Sequence, residues 1–141
     1  MDYFEIHGLK TLNGVIEVSG AKNAVLPLMA ASILNQGKLK ISNVPTLSDS
    51  ITMSKLLKKM GADVNFESDN SISVDSSKLD NPFAPYDLVK TMRASFYVLG
   101  PLLARFGNAK VSLPGGCAWG PRPVDFHLDG LKALGVKISI E

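Results

Sequence analysis

Two stretches of the chain carry the same order of apolar and polar positions, about seventy residues apart. Asn23-Ala24 opens an apolar run, Val25 to Leu34, and Arg93-Ala94 opens another, Ser95 to Ala104. Both have the length and spacing of a buried helix. A glycine follows each, Gly37 and Gly107, and predicts the helix stop. Lys40-Ile41-Ser42 and Lys110-Val111-Ser112 then alternate as short strands. After an insertion of four residues in the second copy, Leu57-Lys58-Lys59-Met60-Gly61-Ala62-Asp63-Val64 faces Leu131-Lys132-Ala133-Leu134-Gly135-Val136-Lys137-Ile138. Each reads as a helix end, a glycine C-cap and a new strand.

The unit is therefore helix, strand, helix, strand, which predicts an α/β fold built from duplicated supersecondary units that share a core. Chance similarity between two helix-to-strand passages is the alternative, and the match in order, spacing and capping glycines weighs against it. The first copy continues with a turn signal at Asp69-Asn70 and an alternating strand, Ser71 to Asp75, so a hairpin is expected. Asn81-Pro82-Phe83-Ala84-Pro85 reads as a connector. The second copy stops at Glu141, the counterpart of Glu67, before its hairpin partner. The chain is thus expected to be an N-terminal piece of a longer protein, with one repeat over about 21–85 and a second, incomplete, over about 86–141. Residues 1–20 stand outside the repeat. Phe4, Ile6 and Leu9, then Val15, Ile16 and Val18, predict two short strands around a turn at Asn13-Gly14 whose sheet partners lie elsewhere.

Composition narrows the class. Of 141 residues 45% are hydrophobic and 20% charged, which is globular rather than disordered. Fifteen basic against thirteen acidic residues leave a net charge of +2, and the cations are scattered. That gives no electrostatic footprint for nucleic acid. No apolar run reaches the roughly 18 residues of a membrane span, and the acidic, mixed start Met1-Asp2-Tyr3-Phe4-Glu5 is unlike a signal peptide. One cysteine excludes an internal disulfide and a multi-cysteine metal site. The expectation is a soluble protein of a reducing cytosol.

Three segments carry candidate chemistry. Leu113 to Leu128, LPGGCAWGPRPVDFHL, falls where the insertion enlarges a strand-to-helix loop, and its glycines and prolines fix an irregular backbone. Cys117 is either a small buried hydrophobe or a reactive group. Flanked by glycines and a Trp-Gly-Pro-Arg turn, it favours the second reading. A thiol of ordinary pKa, about 8.5, is mostly protonated at neutral pH, so it can donate a proton or attack once a cation makes thiolate. Arg122 reads as an anion clamp or as a surface charge. Asp125 reads equally as a helix cap or a ligand group. His127 reads as a packed or surface histidine rather than a metal ligand, since no ligand cluster surrounds it. The second segment, Ser19-Gly20-Ala21-Lys22-Asn23-Ala24, puts a lysine and an amide at a helix start. That is either an anion site or an ordinary N-terminus, and the spacing is not that of a P-loop. The third, Lys90-Thr91-Met92-Arg93-Ala94-Ser95, holds the same repeat position. Lys90 reads as a solvated charge, while Arg93 stands opposite Asn23.

Together, Ser19 to Ala24, Tyr86 to Ser95 (YDLVKTMRAS) and Leu113 to Leu128 resemble the N-terminal part of the UDP-N-acetylglucosamine enolpyruvyl transferases. The likeness runs over essentially the whole chain. The cysteine loop is its specific part, because the shikimate 3-phosphate enolpyruvyl transferases share the architecture but not that loop. Trp119 stands where a smaller aliphatic residue is common, and Tyr97 where some members have tryptophan. The resemblance implies an inside-out α/β barrel with two lobes of three βαβαββ-type units each, of which this chain holds about two. Residues before about 21 would join the other lobe.

It also implies transfer of the enolpyruvyl group of phosphoenolpyruvate to the 3′-hydroxyl of UDP-N-acetylglucosamine, with loss of phosphate. Cys117 would be the general acid, the point of adduct formation and the target of fosfomycin. Lys22, Asn23 and Arg122 would bind phosphoenolpyruvate. Arg93, Arg122, Pro123, Val124, Asp125 and Phe126 would meet the UDP-sugar. Neither metal nor cofactor is implied, and no nucleic-acid or membrane partner. The partner is the missing C-terminal lobe, and the full enzyme is expected to be a cytoplasmic monomer. Lacking that lobe's residues, the chain is expected not to turn over alone. Three other readings stay open: transfer to shikimate 3-phosphate, a non-catalytic phosphate- or nucleotide-binding module, and a purely structural repeat fragment with no ligand.

Overall fold

A computed structural model of the chain describes residues 3–8, 11–114 and 124–140. The first helix, α1 (Lys22–Ala31), turns Val25, Leu26, Met29 and Ala30 inward. It leaves through a 3₁₀ turn, Ser32–Leu34, where the Ser32 hydroxyl donates to the Met29 carbonyl at 2.6 Å. Strand β1 (Lys38–Ile41) follows, then α2 (Ser48–Lys59), whose buried stripe is Ser50, Met53, Ser54, Leu56 and Leu57. Asp49 in its first turn and Lys58 and Lys59 in its last complement the helix dipole. Gly61 stops it at φ +103°, where a Cβ would lie 2.9 Å from the Lys78 carbonyl oxygen. Only glycine serves there.

The expected hairpin forms. Strand β2 (Asp63–Phe66) pairs antiparallel with β3 (Ile72–Asp75), from Asp63↔Asp75 to Phe66↔Ile72, and Asn70 takes φ +56° in the turn. Strand β1 pairs antiparallel along the other edge of β3, so the sheet order is β1-β3-β2. The last strand in sequence is the central one, and Ile72 and Val74 are completely buried. Helices α1 and α2 pack on each other and on this sheet. The core between them is Met29, Ile33, Met53, Leu56, Leu57, Met60 and Val64.

The second repeat is less complete. The connector contains a strand, β4 (Phe83–Ala84), parallel to β5 (Lys110–Val111). Between them lie α3 (Tyr86–Val89), a 3₁₀ segment (Arg93–Val98) and α4 (Leu99–Phe106). Gly107 ends α4 at φ +71°, its amide donating to the Leu103 carbonyl at 2.9 Å. The predicted helix from Ser95 therefore begins as a 3₁₀ segment and becomes α-helical only at Leu99. Pro101 explains the register: a residue without an N–H fits the first turn, where no intrahelical acceptor awaits it. Helix α5 (Asp125–Ala133) closes at Gly135, φ +90°.

Three other expectations are corrected. Gly37 is not a left-handed helix stop, because Asn35 already turns the chain extended at φ −87°, ψ 128°. Residues 136–138 form no strand. Strand β2, which the sequence pattern sets beside them, is held by β3, whereas among the described residues no strand pairs with 136–138. Likewise residues 3–8 and 11–20 form no strand; Phe4, Ile6, Val15, Ile16 and Val18 are exposed. Backbone without a pairing partner keeps its hydrogen bonds to water. Leu9 lies outside the described residues. A groove of about 530 Å³ opens between α4, β5, α5 and residues 136–140, lined by Phe96, Leu103, Val111, Leu128, Leu131 and Val136 among others.

One side chain ties the repeats together. The Arg105 guanidinium on α4 donates to the carbonyls of Ile33 (2.9 Å), Asn35 (3.5 Å), Ser76 (2.9 Å) and Leu79 (3.3 Å).

Candidate functional site

The Ser19–Ala24 segment is placed by its glycine. The Gly20 amide donates to Asn43 Oδ1 at 3.0 Å, and a Cβ on Gly20 would overlap the Asn43 carbonyl oxygen. Asn43 itself sits at φ +54°, just past β1. This close approach sets Lys22 as the first residue of α1, after a cap residue, Ala21, that offers no side-chain acceptor. The amides of Ala24 and Val25 bond the Ala21 carbonyl. The Lys22 and Asn23 amides lie in the first turn, whose donors have no acceptor within the helix. Pro27 lacks the N–H that would reach the Asn23 carbonyl. The first turn of α1 thus offers an ammonium, a carboxamide and the positive end of the dipole together, all solvent-accessible.

Lys22 is not alone. Its Nζ lies 2.6 Å from Asp49 Oδ2, in the first turn of α2, with side-chain exposures of 49% and 28%. Asp49 is the residue that sequence reasoning missed. Its signal was an acidic residue opening a helix, which identifies a first turn but not the lysine across from it.

Arg93 begins the 3₁₀ segment, exposed, and that segment packs against α1. The two cationic starts thus lie on adjoining elements, although only one opens an α-helix. Lys90 behaves as a solvated charge: it pairs with Asp87 at 2.9 Å and lies 5.2 Å from the centre of the Tyr86 ring. The hydrogen bond to Asp87 raises its pKa.

Of the third segment, the described part beyond Leu113 and Pro114 begins at Val124. Val124 is buried and precedes α5, its carbonyl accepting from the amides of His127 (3.0 Å) and Leu128 (3.2 Å). Asp125 is the first helical residue and makes no capping hydrogen bond, which corrects the cap reading. Phe126 is 89% exposed. His127 is exposed, with its ring 5.9 Å from that of buried Phe96. The 93–98 segment therefore touches both α1 and, through Phe96, the first turn of α5. Cys117, Arg122 and Pro123 lie outside the described residues.

Among the described residues, no group of three or more His, Cys, Asp or Glu side chains is placed to hold a metal ion, and no helix is long and apolar enough to cross a membrane.

Comparison with known proteins gives this geometry a family. A family model described as EPSP synthase (3-phosphoshikimate 1-carboxyvinyltransferase) matches residues 6–141. Curated relatives named UDP-N-acetylglucosamine 1-carboxyvinyltransferase align over essentially the whole chain. The one from Dichelobacter nodosus is 55% identical over 140 residues, covering 99% of this chain and 33% of the relative. The Coxiella burnetii one is 56% identical, covering 99% and 32%. The Campylobacter hominis one is 50% identical, covering 100% and 34%. The chain thus spans about a third of the length of the curated relatives it matches. Among solved structures, the enolpyruvyl transferase NikO from Streptomyces tendae superposes with a TM-score of 0.77 at 27% identity, over 96% of this chain and 29% of that one. The α/β fold is that of an enolpyruvyl transferase, present here in part. By sequence match and by superposition, the chain belongs to the EPSP synthase (3-phosphoshikimate 1-carboxyvinyltransferase) family.

Proposed function

We propose that this chain is the N-terminal part of an enzyme that transfers the enolpyruvyl group of phosphoenolpyruvate to the 3′-hydroxyl of UDP-N-acetylglucosamine, releasing phosphate. That reaction opens peptidoglycan synthesis, in the cytoplasm. The observation that carries the reading is the 50–56% identity, over the whole chain, to relatives bearing that name. The cysteine loop favours the UDP-sugar over shikimate 3-phosphate as acceptor.

In this reading the sugar oxygen adds to C2 of phosphoenolpyruvate while a proton is delivered to C3. The resulting phospho-ketal then loses a C3 proton and phosphate, which restores the double bond. Cys117 is the proton donor; a thiol still protonated at neutral pH suits the task. Lys22 and Arg122 neutralise the phosphate and carboxylate of phosphoenolpyruvate, and stabilise charge as it shifts toward the leaving group. Asn23 orients the reacting groups. Arg93, Arg122, Pro123, Val124, Asp125 and Phe126 receive the nucleotide sugar, and the exposed Phe126 ring offers a face for the uridine end. The other lobe, which residues 1–20 would join, supplies the general base; neither metal nor cofactor is invoked, and the full enzyme acts as a monomer.

The test is the alkylation rate of Cys117, the only thiol, against pH, with and without UDP-N-acetylglucosamine, followed by intact mass. The expected result is a rate that changes with the nucleotide sugar. An unresponsive thiol, both here and in a full-length transferase carrying these residues, overturns the reading.

A further inference from the structure

The Lys22–Asp49 pair joins the first turns of α1 and α2, two helices packed on each other. An ammonium has three N–H donors and no acceptor. Asp49 approaches one side of it as an ion pair at 2.6 Å and leaves the rest of the ammonium to other acceptors. The lysine stem has free rotation about several bonds and would otherwise sweep a wide volume, so the carboxylate fixes where the ammonium sits. The pair stays half-open to solvent, so it is not a buried structural ion pair: a second anion can reach the remaining donors without displacing the first. Asp49 also puts a negative charge between two positive helix ends, which by itself opposes anion binding. Neutralisation and positioning thus predict opposite signs for its removal.

We infer that Asp49 is a positioning residue for phosphoenolpyruvate, acting through Lys22, whose ammonium it aims at the substrate's anionic groups. This rests on the reading of Lys22 as a phosphoenolpyruvate ligand.

The experiment is steady-state kinetics of a full-length transferase carrying these 141 residues. Removing a group that holds a ligand in place costs up to about a hundred-fold, and for Asp49→Asn we expect KM for phosphoenolpyruvate to rise about ten-fold. KM for UDP-N-acetylglucosamine should stay within about two-fold, because positioning is confined to one substrate. Asp49→Glu, which keeps the acid, should recover most of the loss, and Asp49→Asn should add nothing on top of Lys22→Ala. An unchanged or lowered KM for phosphoenolpyruvate in Asp49→Asn, with Lys22→Ala still defective, overturns the positioning role alone. If Lys22→Ala also leaves that KM unchanged, the reading of Lys22 falls and takes this inference with it. Serine suits a helix first turn, so Asp49→Ser is the second removal should Asp49→Asn fail to fold, judged by its helical circular dichroism.

Discussion

At the scale of single residues, Arg105 on α4 tethers distant segments of the chain. Its guanidinium collects four carbonyls from segments 26 to 72 residues away. Removing it strands acceptors that are partly shielded from water, so Arg105→Ala should lower unfolding stability by about 2 kcal/mol. Arg105→Lys should recover little, because an ammonium cannot span the fork; urea titration of the three proteins checks both. Asp69 makes a pH prediction. Its carboxyl is held at about 2, first by the hydrogen bond from Lys40 and then by that from the Ser71 hydroxyl. The folded value lies below the unfolded one of 3.8. The contribution is therefore complete above the unfolded value and is lost as pH falls through about 2. Asp69→Asn should flatten the acid limb of the melting temperature over that window, modestly, since the pair is exposed. Lys22, Asn23 and Arg93 were legible because an unusual polar residue opens an apolar run. Asp49 was not, since its partner lies on another helix and sequence spacing is silent on such contacts.

At the scale of elements, periodicity located the helices well and their ends less well. Ser19 to Ala24 predicted the start of the first helix, and α1 begins within it, at Lys22, but turns 3₁₀ at Ser32, before the apolar run ends at Leu34. The proline within the second run shifted the start of α4 to Leu99. The glycines sort by what surrounds them. Gly61 has both a positive φ and backbone atoms within reach of a Cβ, whereas Gly107 has a positive φ and open space. Gly61→Ala should therefore cost about 2 kcal/mol or more and Gly107→Ala about 1 kcal/mol, an ordering that thermal unfolding can test. Strands depended on neighbours. The β2–β3 hairpin was legible because its turn and both arms are contiguous. Residues 136–138 alternate just as well, yet a strand needs a partner as much as a pattern.

At the scale of the molecule, the described residues form a three-stranded sheet and a two-stranded one. The first buries Ile72 and Val74 completely. Beside the second, α5 buries none of its residues, and an apolar groove stays open. Native-state hydrogen exchange should read this directly, with slow amides at 63–66 and 72–75 and fast ones at 136–140. Equal protection in both sets would show that the second repeat closes without a central strand. The helices were legible in the sequence because their apolar runs are contiguous and because Gly61, Gly107 and Gly135 stop α2, α4 and α5. The antiparallel insertion of β3 between β1 and β2 was not, because pairing order follows from long-range packing.

That insertion has a consequence for biosynthesis. The strand at the middle of the first sheet is the last of its three to leave the ribosome. Until Ile72–Asp75 emerges, β1 and β2 have no strand to pair with, and the core lacks Ile72 and Val74. A nascent chain halted at Phe66 should thus be cut readily by protease, while one whose first 80 residues have cleared the exit tunnel should resist. Folding of this repeat is gated by the synthesis of four residues, Ile-Ser-Val-Asp.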